Sequence, residues 1–163
     1  MLHPAVAHFA VSLPIISLVL GLLYLFKPSE MMSKISTRFL VFAAIFVVAA
    51  YFTGKNDAQE VFKFLSAEAK GELKEHAQLG QYLAITMVAV ALIKMFGCFK
   101  KMFKIELFAV LLLAVLSAGI LSQGKMGGEL TYEYGAHVAK YAEGQACLAE
   151  AAEMDDEDED EDE

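Results

Sequence analysis

The sequence predicts an all-α integral membrane protein: a four-helix bundle with an outer amphipathic helix and a small outer C-terminal cap. Apolar residues make up 57% of the 163 residues, whereas about 45–50% is usual for a soluble domain. The mean hydropathy is +0.48, and 21% of the residues are charged. Four long apolar runs account for the excess, because a bilayer core of about 30 Å requires roughly 20 helical residues.

A transmembrane domain is predicted over residues 1–122. Its membrane helices are expected at about residues 4–26, 38–53, 79–98 and 105–122. The first run is long enough unaided, while the others include flanking residues such as Lys94, whose ammonium we expect to reach the membrane interface. The first run has no basic segment before it and no cleavage site of small residues after it, so we expect a retained helix, not a signal peptide.

The connection between the second and third runs predicts an outer amphipathic helix over residues 57–78. Its apolar residues recur at three- and four-residue steps. They are Ala58, Phe62, Leu65, Ala69 and Leu73. The stripe continues to His76, which we therefore expect to face the bundle. The alternative is a helix lying on the membrane surface, with His76 as an interface residue.

The C-terminal part is predicted to form an outer cap over residues 123–154 and a disordered acidic tail over residues 155–163. The cap is expected to begin with a flexible exit at residues 124–128. All nine tail residues are acidic, and without them the net charge of −8 becomes +1. The body therefore lacks the basic face that a nucleic-acid partner would require.

The orientation of the bundle follows from the basic residues in its short connections. Residues 27–38 hold Lys27, Lys34 and Arg38, and residues 100–104 hold three lysines. Both segments lie at the same end of the bundle, which the positive-inside rule assigns to the cytoplasm. The N-terminus, the connection between the second and third helices, and the acidic tail are then expected on the outer side.

All four histidines are expected on that outer side: His3, His8, His76 and His137. We expect His8 and Ser12 to lie on a bundle-facing stripe of the first helix. His8 and His76 are then candidate axial ligands of a b-type haem, which requires imidazoles from facing helices. His3 and His137 are reserve ligands or ligands of a second site. The alternatives are copper or zinc bound by the histidines, or no cofactor.

Other classes of function are disfavoured. Cys98 and Cys147 are expected on opposite sides of the membrane, and no Cys-x-x-Cys-His segment offers covalent haem attachment. No acid–base dyad, nucleophile elbow or phosphate loop is visible, so we do not expect an enzyme in its own right. A transporter is disfavoured because the apolar runs show no internal repeat and no buried charge pair marks the membrane midplane.

Four short motifs occur in order around the apolar runs. They are His3-Pro4-Ala5-Val6-Ala7-His8-Phe9, Thr53-Gly54 with Asp57-Ala58, His76-x-x-Leu79-Gly80, and Gly127-Gly128-Glu129-Leu130-x-Tyr132-x-Tyr134-Gly135. Together they resemble a bacterial family of four-helix inner-membrane proteins that is classed as a domain of unknown function. The resemblance covers about residues 2–140. It implies a multi-pass inner-membrane protein with periplasmic termini, and it implies no reaction.

The resulting hypothesis is a haem or metal site at the periplasmic end that serves electron transfer or redox sensing. Its expected partners are the lipid bilayer and either other membrane redox subunits or a basic periplasmic electron carrier, which the acidic tail would attract. A homo-oligomer is left open. The alternative hypothesis is an accessory or structural membrane protein without a cofactor, whose outer cap binds a partner.

Overall fold

A computed structural model describes residues 2–136 of the protein, and this part of the chain is helical nearly throughout. The elements, in order, are α1 His3–Phe26, α2 Glu30–Val61, a 3₁₀ turn at Phe62–Phe64, α3 Ala67–Lys100 and α4 Phe103–Tyr132. All four α-helices within residues 2–136 are long and apolar enough to cross a membrane. The predicted all-α, four-helix membrane fold is thus confirmed.

Local signals set the short connections between the helices. The Ser29 hydroxyl accepts a hydrogen bond from the backbone N–H of Met32 (3.2 Å) and so caps the start of α2. Ser66 caps α3 in the same way, through the N–H of Ala69 (3.1 Å). At the other end of α3, Lys101 adopts the left-handed conformation (φ 54°), which turns the chain directly into α4.

The helices are antiparallel neighbours around a square. Each helix packs against the next one in sequence, and α4 returns to pack against α1. We call one end of the bundle the histidine end; it contains the N-terminus of α1, the α2–α3 connection and the C-terminus of α4. The opposite end, which contains residues 27–29 and 101–102, is the basic end.

The bundle is apolar outside as well as inside. Its interior is built from small and medium residues such as Leu40, Ala43, Met87 and Ala109, which are almost fully buried. Its outer surface also carries large apolar side chains, such as Val115, which is 72% exposed. A soluble bundle would place polar residues there, whereas lipid accepts apolar side chains on every outward face.

The predicted separate amphipathic helix over residues 57–78 is wrong. The structure divides this stretch between the last turns of α2, which runs to Val61, and the first turns of α3, which begins at Ala67. The break falls at residues 62–66, where Ser66 starts a new helix. At about 1.5 Å per residue, α2 and α3 are roughly 48 and 51 Å long, so both exceed the bilayer core.

Two further boundaries differ from the prediction. Helix α2 begins at Glu30, not near residue 38, because the Ser29 cap starts it within the expected loop. The flexible exit at residues 124–128 is helical instead, and α4 continues to Tyr132. Leu130 is buried there against Leu65 and Ala69, and this packing offsets the low helix propensity of the nearby glycines. Residues 137–154 of the predicted cap and the tail at 155–163 lie outside the described residues.

Candidate functional site

His3, in the first turn of α1, lies against α2. Its Nδ1 is 3.3 Å from the hydroxyl oxygen of Thr53. That hydroxyl also lies within hydrogen-bond distance of the backbone carbonyls of Ala49 (2.9 Å) and Ala50 (3.2 Å). Because a hydroxyl both donates and accepts, Thr53 can bond the backbone of α2 and the His3 ring together, and this holds the imidazole against α2.

Gly54 leaves the space on α2 that the His3 ring occupies. A Cβ at position 54 would lie 2.8 Å from Cε1 of His3 and 3.0 Å from its Nδ1. Any larger residue would displace the imidazole from α2, so the glycine of the second motif is explained by the histidine of the first.

His76, on α3, is partly buried against α4. A Cβ at Gly127 would lie 3.3 Å from Cε1 of His76, so this imidazole, like that of His3, packs directly against a glycine. Its carbonyl accepts a hydrogen bond from Nε2 of Gln123 (2.8 Å). Its Nδ1 is buried and has no hydrogen-bond partner among residues 2–136. The His3 imidazole is close enough to interact electrostatically with it.

The prediction that His8 and Ser12 face the bundle is wrong. Both side chains are exposed on the outer surface of α1. The Nδ1–H of His8 donates to the carbonyl of Pro4 (2.6 Å), one turn back along the same helix. The buried face of α1 consists instead of Ala10, Leu13, Pro14, Ser17, Gly21 and Tyr24. The structure thus places His3 within electrostatic range of His76, whereas His8 lies on the outer surface of α1. His137 lies outside the described residues.

Two further polar side chains at the histidine end were not predicted as site residues. Asp57 lies one turn beyond Thr53 on α2 and is only 8% exposed. Its Oδ2 and the Oε1 of Gln123 are buried without a hydrogen-bond partner in the described part of the chain. Asp57 belongs to a motif visible in the sequence, whereas no sequence signal marked Gln123. Gln123 contacts α3 closely, since a Cβ at Gly80 would lie 3.0 Å from its Nε2.

The histidine end therefore gathers nitrogen and oxygen ligand types from α1 to α4: two imidazoles, one carboxylate and one amide oxygen. Buried polar atoms without partners are costly and rare in folded proteins. Three of them lie in this one region, as just described. Within residues 2–136, no three His, Cys, Asp or Glu side chains lie close enough together to hold a metal ion by themselves.

Comparison with protein families decides what kind of chain this is. Residues 1–140 match the family described as "Predicted membrane protein (DUF2231)". The chain belongs to this family. No curated protein and no solved structure matches it significantly. The predicted resemblance is thus confirmed, and the DUF2231 description agrees with the four membrane-length helices found in residues 2–136.

This DUF2231 chain also contains a buried ion pair, which the sequence analysis did not predict. Lys94 of α3 donates to Oε2 of Glu106 of α4, and at most 2% of either side chain is exposed. The expectation that Lys94 reaches the membrane interface is therefore wrong: its ammonium lies inside the bundle, near the basic end, where Glu106 belongs to the first turn of α4. Gly97 permits the pairing, because a Cβ there would lie 2.8 Å from Cγ of Glu106.

The Glu106 carboxylate of α4 connects all four helices at one point. The Tyr24 hydroxyl of α1 donates to Oε1 (2.8 Å), and the Ser33 hydroxyl of α2 donates to Oε2 (2.7 Å). The Lys94 ammonium also lies 4.5 Å from the centroid of the Tyr24 ring, within range of a cation–π interaction. Each charge is thus compensated, which is the condition under which an ion pair is tolerated in a low-dielectric interior.

Proposed function

We propose that this protein is a redox subunit of the membrane that binds b-type haem at the histidine end, through His76 and His3. The observation that carries the proposal is the buried Nδ1 of His76, which lacks a partner within residues 2–136 and lies within electrostatic range of the His3 imidazole. Histidine is a common haem ligand, and an imidazole can bind a metal through either ring nitrogen.

The residues around the two imidazoles fit such a group. Thr53 and Gly54 hold the His3 ring against α2. Asp57 supplies a buried carboxylate oxygen, the type of group that orients the second nitrogen of a ligating histidine. A haem bound here would supply one-electron chemistry, and the chain's own residues would set the orientation of the ligands and the exclusion of water. The proposal assigns the chain no substrate reaction of its own.

His8 has a different role in this proposal from the one the sequence indicated. Its ring lies on the outer surface of α1, with Nδ1 bonded to its own helix. It is therefore a control residue for the site and not one of its ligands. The alternative ligand of the same site is a copper or zinc ion bound by His3 and His76. Metal analysis distinguishes such an ion from haem.

We further propose that the histidine end faces the periplasm of a bacterial cell and exchanges electrons there with a carrier or another redox subunit. The support is the concentration of Lys and Arg at the basic end, which the positive-inside rule places in the cytoplasm. Electron transfer or redox sensing at the periplasmic face is the role that follows from this orientation.

The test is an absorption spectrum with metal analysis on the full chain, purified in mild detergent from haem-sufficient cells. We expect a Soret band and about one haem per chain in the wild type. His76→Ala and His3→Ala should lose the haem, because one axial ligand holds it weakly. The matched control is His8→Ala, which removes an imidazole from the same helix as His3 and should retain the haem.

Three outcomes would contradict this proposal. Equal haem content in all variants would remove His3 and His76 from the site. Loss of haem in His8→Ala alone would restore the ligand suggested by the sequence. A wild-type protein without haem or metal would favour the accessory role, in which the histidine end binds a protein partner.

A further inference from the structure

A cavity of about 650 Å³ lies at the basic end of the bundle, and residues of α1 to α4 line it. Its inner wall reaches Tyr24, Ser33 and Glu106, the residues that surround the buried ion pair. Its mouth is formed by Glu30 and Lys101. This cavity plays no part in the proposed haem site, which lies at the other end of the same helices.

The cavity contains a hydroxyl group without a partner. Thr37 lines it and is 6% exposed, and its Oγ1 has no hydrogen-bond partner in the described residues. Six other hydroxyl groups in the described helices donate to the carbonyl four residues earlier. They are those of Ser12, Ser17, Thr53, Thr86, Ser117 and Thr131. Thr37 departs from this pattern where the cavity adjoins it, which leaves its hydroxyl available to a ligand.

The mouth of the cavity is positively charged. Lys34 and Lys101 both donate to the carboxylate of Glu30, at 2.7 and 3.2 Å. Each ammonium has three donors, so it can keep Glu30 and still bind an anion. Residues 27–38 and 100–104 carry six Lys and Arg side chains against the single acid Glu30.

The side walls are apolar and open toward the lipid. Met95, Phe99 and Phe103 line the cavity, and Phe99 is 82% exposed. A fully hydrated ion would gain nothing from these walls, whereas an acyl chain would bury apolar surface against them. The cavity therefore combines cationic groups at the membrane surface with an apolar slot that leads along the helices.

We propose that this cavity binds one anionic phospholipid. Its phosphate accepts from the remaining N–H groups of Lys34 and Lys101, its glycerol ester region reaches the Thr37 hydroxyl, and an acyl chain follows Met95 and Phe99. Basic pockets between membrane helices are typical binding sites for anionic lipid headgroups. The bound lipid closes the interior around Lys94 and Glu106 against water from the basic end.

The test compares phosphatidylglycerol with phosphatidylcholine, using native mass spectrometry of the full chain and its thermal midpoint in detergent. We expect the wild type to retain one phosphatidylglycerol, and its midpoint to rise with that lipid and not with phosphatidylcholine. The double variant Lys34→Gln/Lys101→Gln should bind phosphatidylglycerol about thirty-fold more weakly, since each basic residue near the surface contributes about a factor of five.

Matched variants separate this site from general attraction to the basic end. Lys27→Gln/Lys104→Gln removes the same charge at the same end from residues that do not line the cavity, and it should bind the lipid nearly as well as the wild type. Glu30→Gln should bind it more tightly, because an anion at the mouth is removed. Thr37→Val should bind it more weakly, because the proposed contact with the hydroxyl is removed.

Several results would overturn the proposal. If phosphatidylglycerol and phosphatidylcholine shifted the thermal midpoint of the wild type equally, the proposal would be overturned. This comparison does not depend on whether the lysine variants fold. Equal weakening by the two double variants would mean diffuse electrostatic attraction. Displacement of the lipid by excess inorganic phosphate would identify a phosphate site in place of a lipid site.

Discussion

Removing the Lys94 ammonium should strongly destabilise the protein, because Glu106 would then be a buried charge without a counter-ion. At most 2% of either side chain is exposed, so water cannot replace the lost partner. We consider Lys94→Met, which keeps the length of the side chain and removes its charge. The Tyr24 and Ser33 hydroxyls would still donate to the carboxylate, so the change isolates the charge.

The expected magnitude follows from the burial of the pair. Removing one partner of a buried ion pair in a soluble protein costs about 3–5 kcal/mol. In a membrane or micelle the unfolded chain also finds partners for its polar groups, so we expect about 3 kcal/mol. For a chain of this size, each kcal/mol lowers the thermal midpoint by roughly 2–4 °C. The predicted shift is therefore roughly 6–12 °C.

The assay is thermal unfolding in detergent, and the folded fraction is measured by size-exclusion chromatography of the heated samples. Glu106→Gln should destabilise the protein by a similar amount, because it leaves Lys94 charged and buried. The double variant Lys94→Met/Glu106→Gln buries no charge and should return to within about 1 kcal/mol of the wild type. The matched control is Lys125→Met, which breaks an exposed lysine–glutamate pair on α4 and should not change the midpoint measurably.

Two results would refute this reasoning. A midpoint for Lys94→Met that equals the Lys125→Met control would mean that Lys94 is not buried as a charge. A double variant as unstable as the sum of the single variants would mean that the two charges are not coupled.

The remaining predictions concern the glycines, the topology and the tail. Gly127→Ala should reduce haem content, because its Cβ would lie 3.3 Å from the His76 ring. The adjacent Gly128→Ala should stabilise α4 by up to about 1 kcal/mol, because its Cβ would have nothing within 4 Å. Loss of haem from both variants would contradict this. Reporter fusions after Pro28 and Lys101 should report the cytoplasm, and a fusion after Gly71 the periplasm; the reverse pattern would invert the proposed orientation. Truncation after Met154 should leave the midpoint and haem content unchanged, since it removes only acidic residues. If the tail steers a basic carrier, the truncation should also slow association at low salt.

The sequence by itself determined the membrane bundle. Four apolar stretches and two short basic connections predicted the number of membrane-length helices within residues 2–136 and their antiparallel order. Such a prediction succeeds because a chain in lipid must satisfy its backbone hydrogen bonds internally, and helix length and hydropathy alone decide whether it can. The motif residues His3, Gly54, Asp57, His76 and Gly127 were also visible before their contacts were known.

The tertiary structure decided which faces point inward. His8 was expected inside and lies outside, His3 was expected as a reserve ligand and packs against α2 within electrostatic range of His76, and Lys94 is paired with Glu106 inside the bundle. In a soluble helix, the contrast between apolar and polar faces would have revealed these orientations. Lipid is as apolar as the bundle interior, so the faces of these helices differ mainly in the size of their residues. Small residues such as Gly54, Gly97 and Gly127 mark the inward faces, and only the packed helices identify the side chains that fill the space beside them.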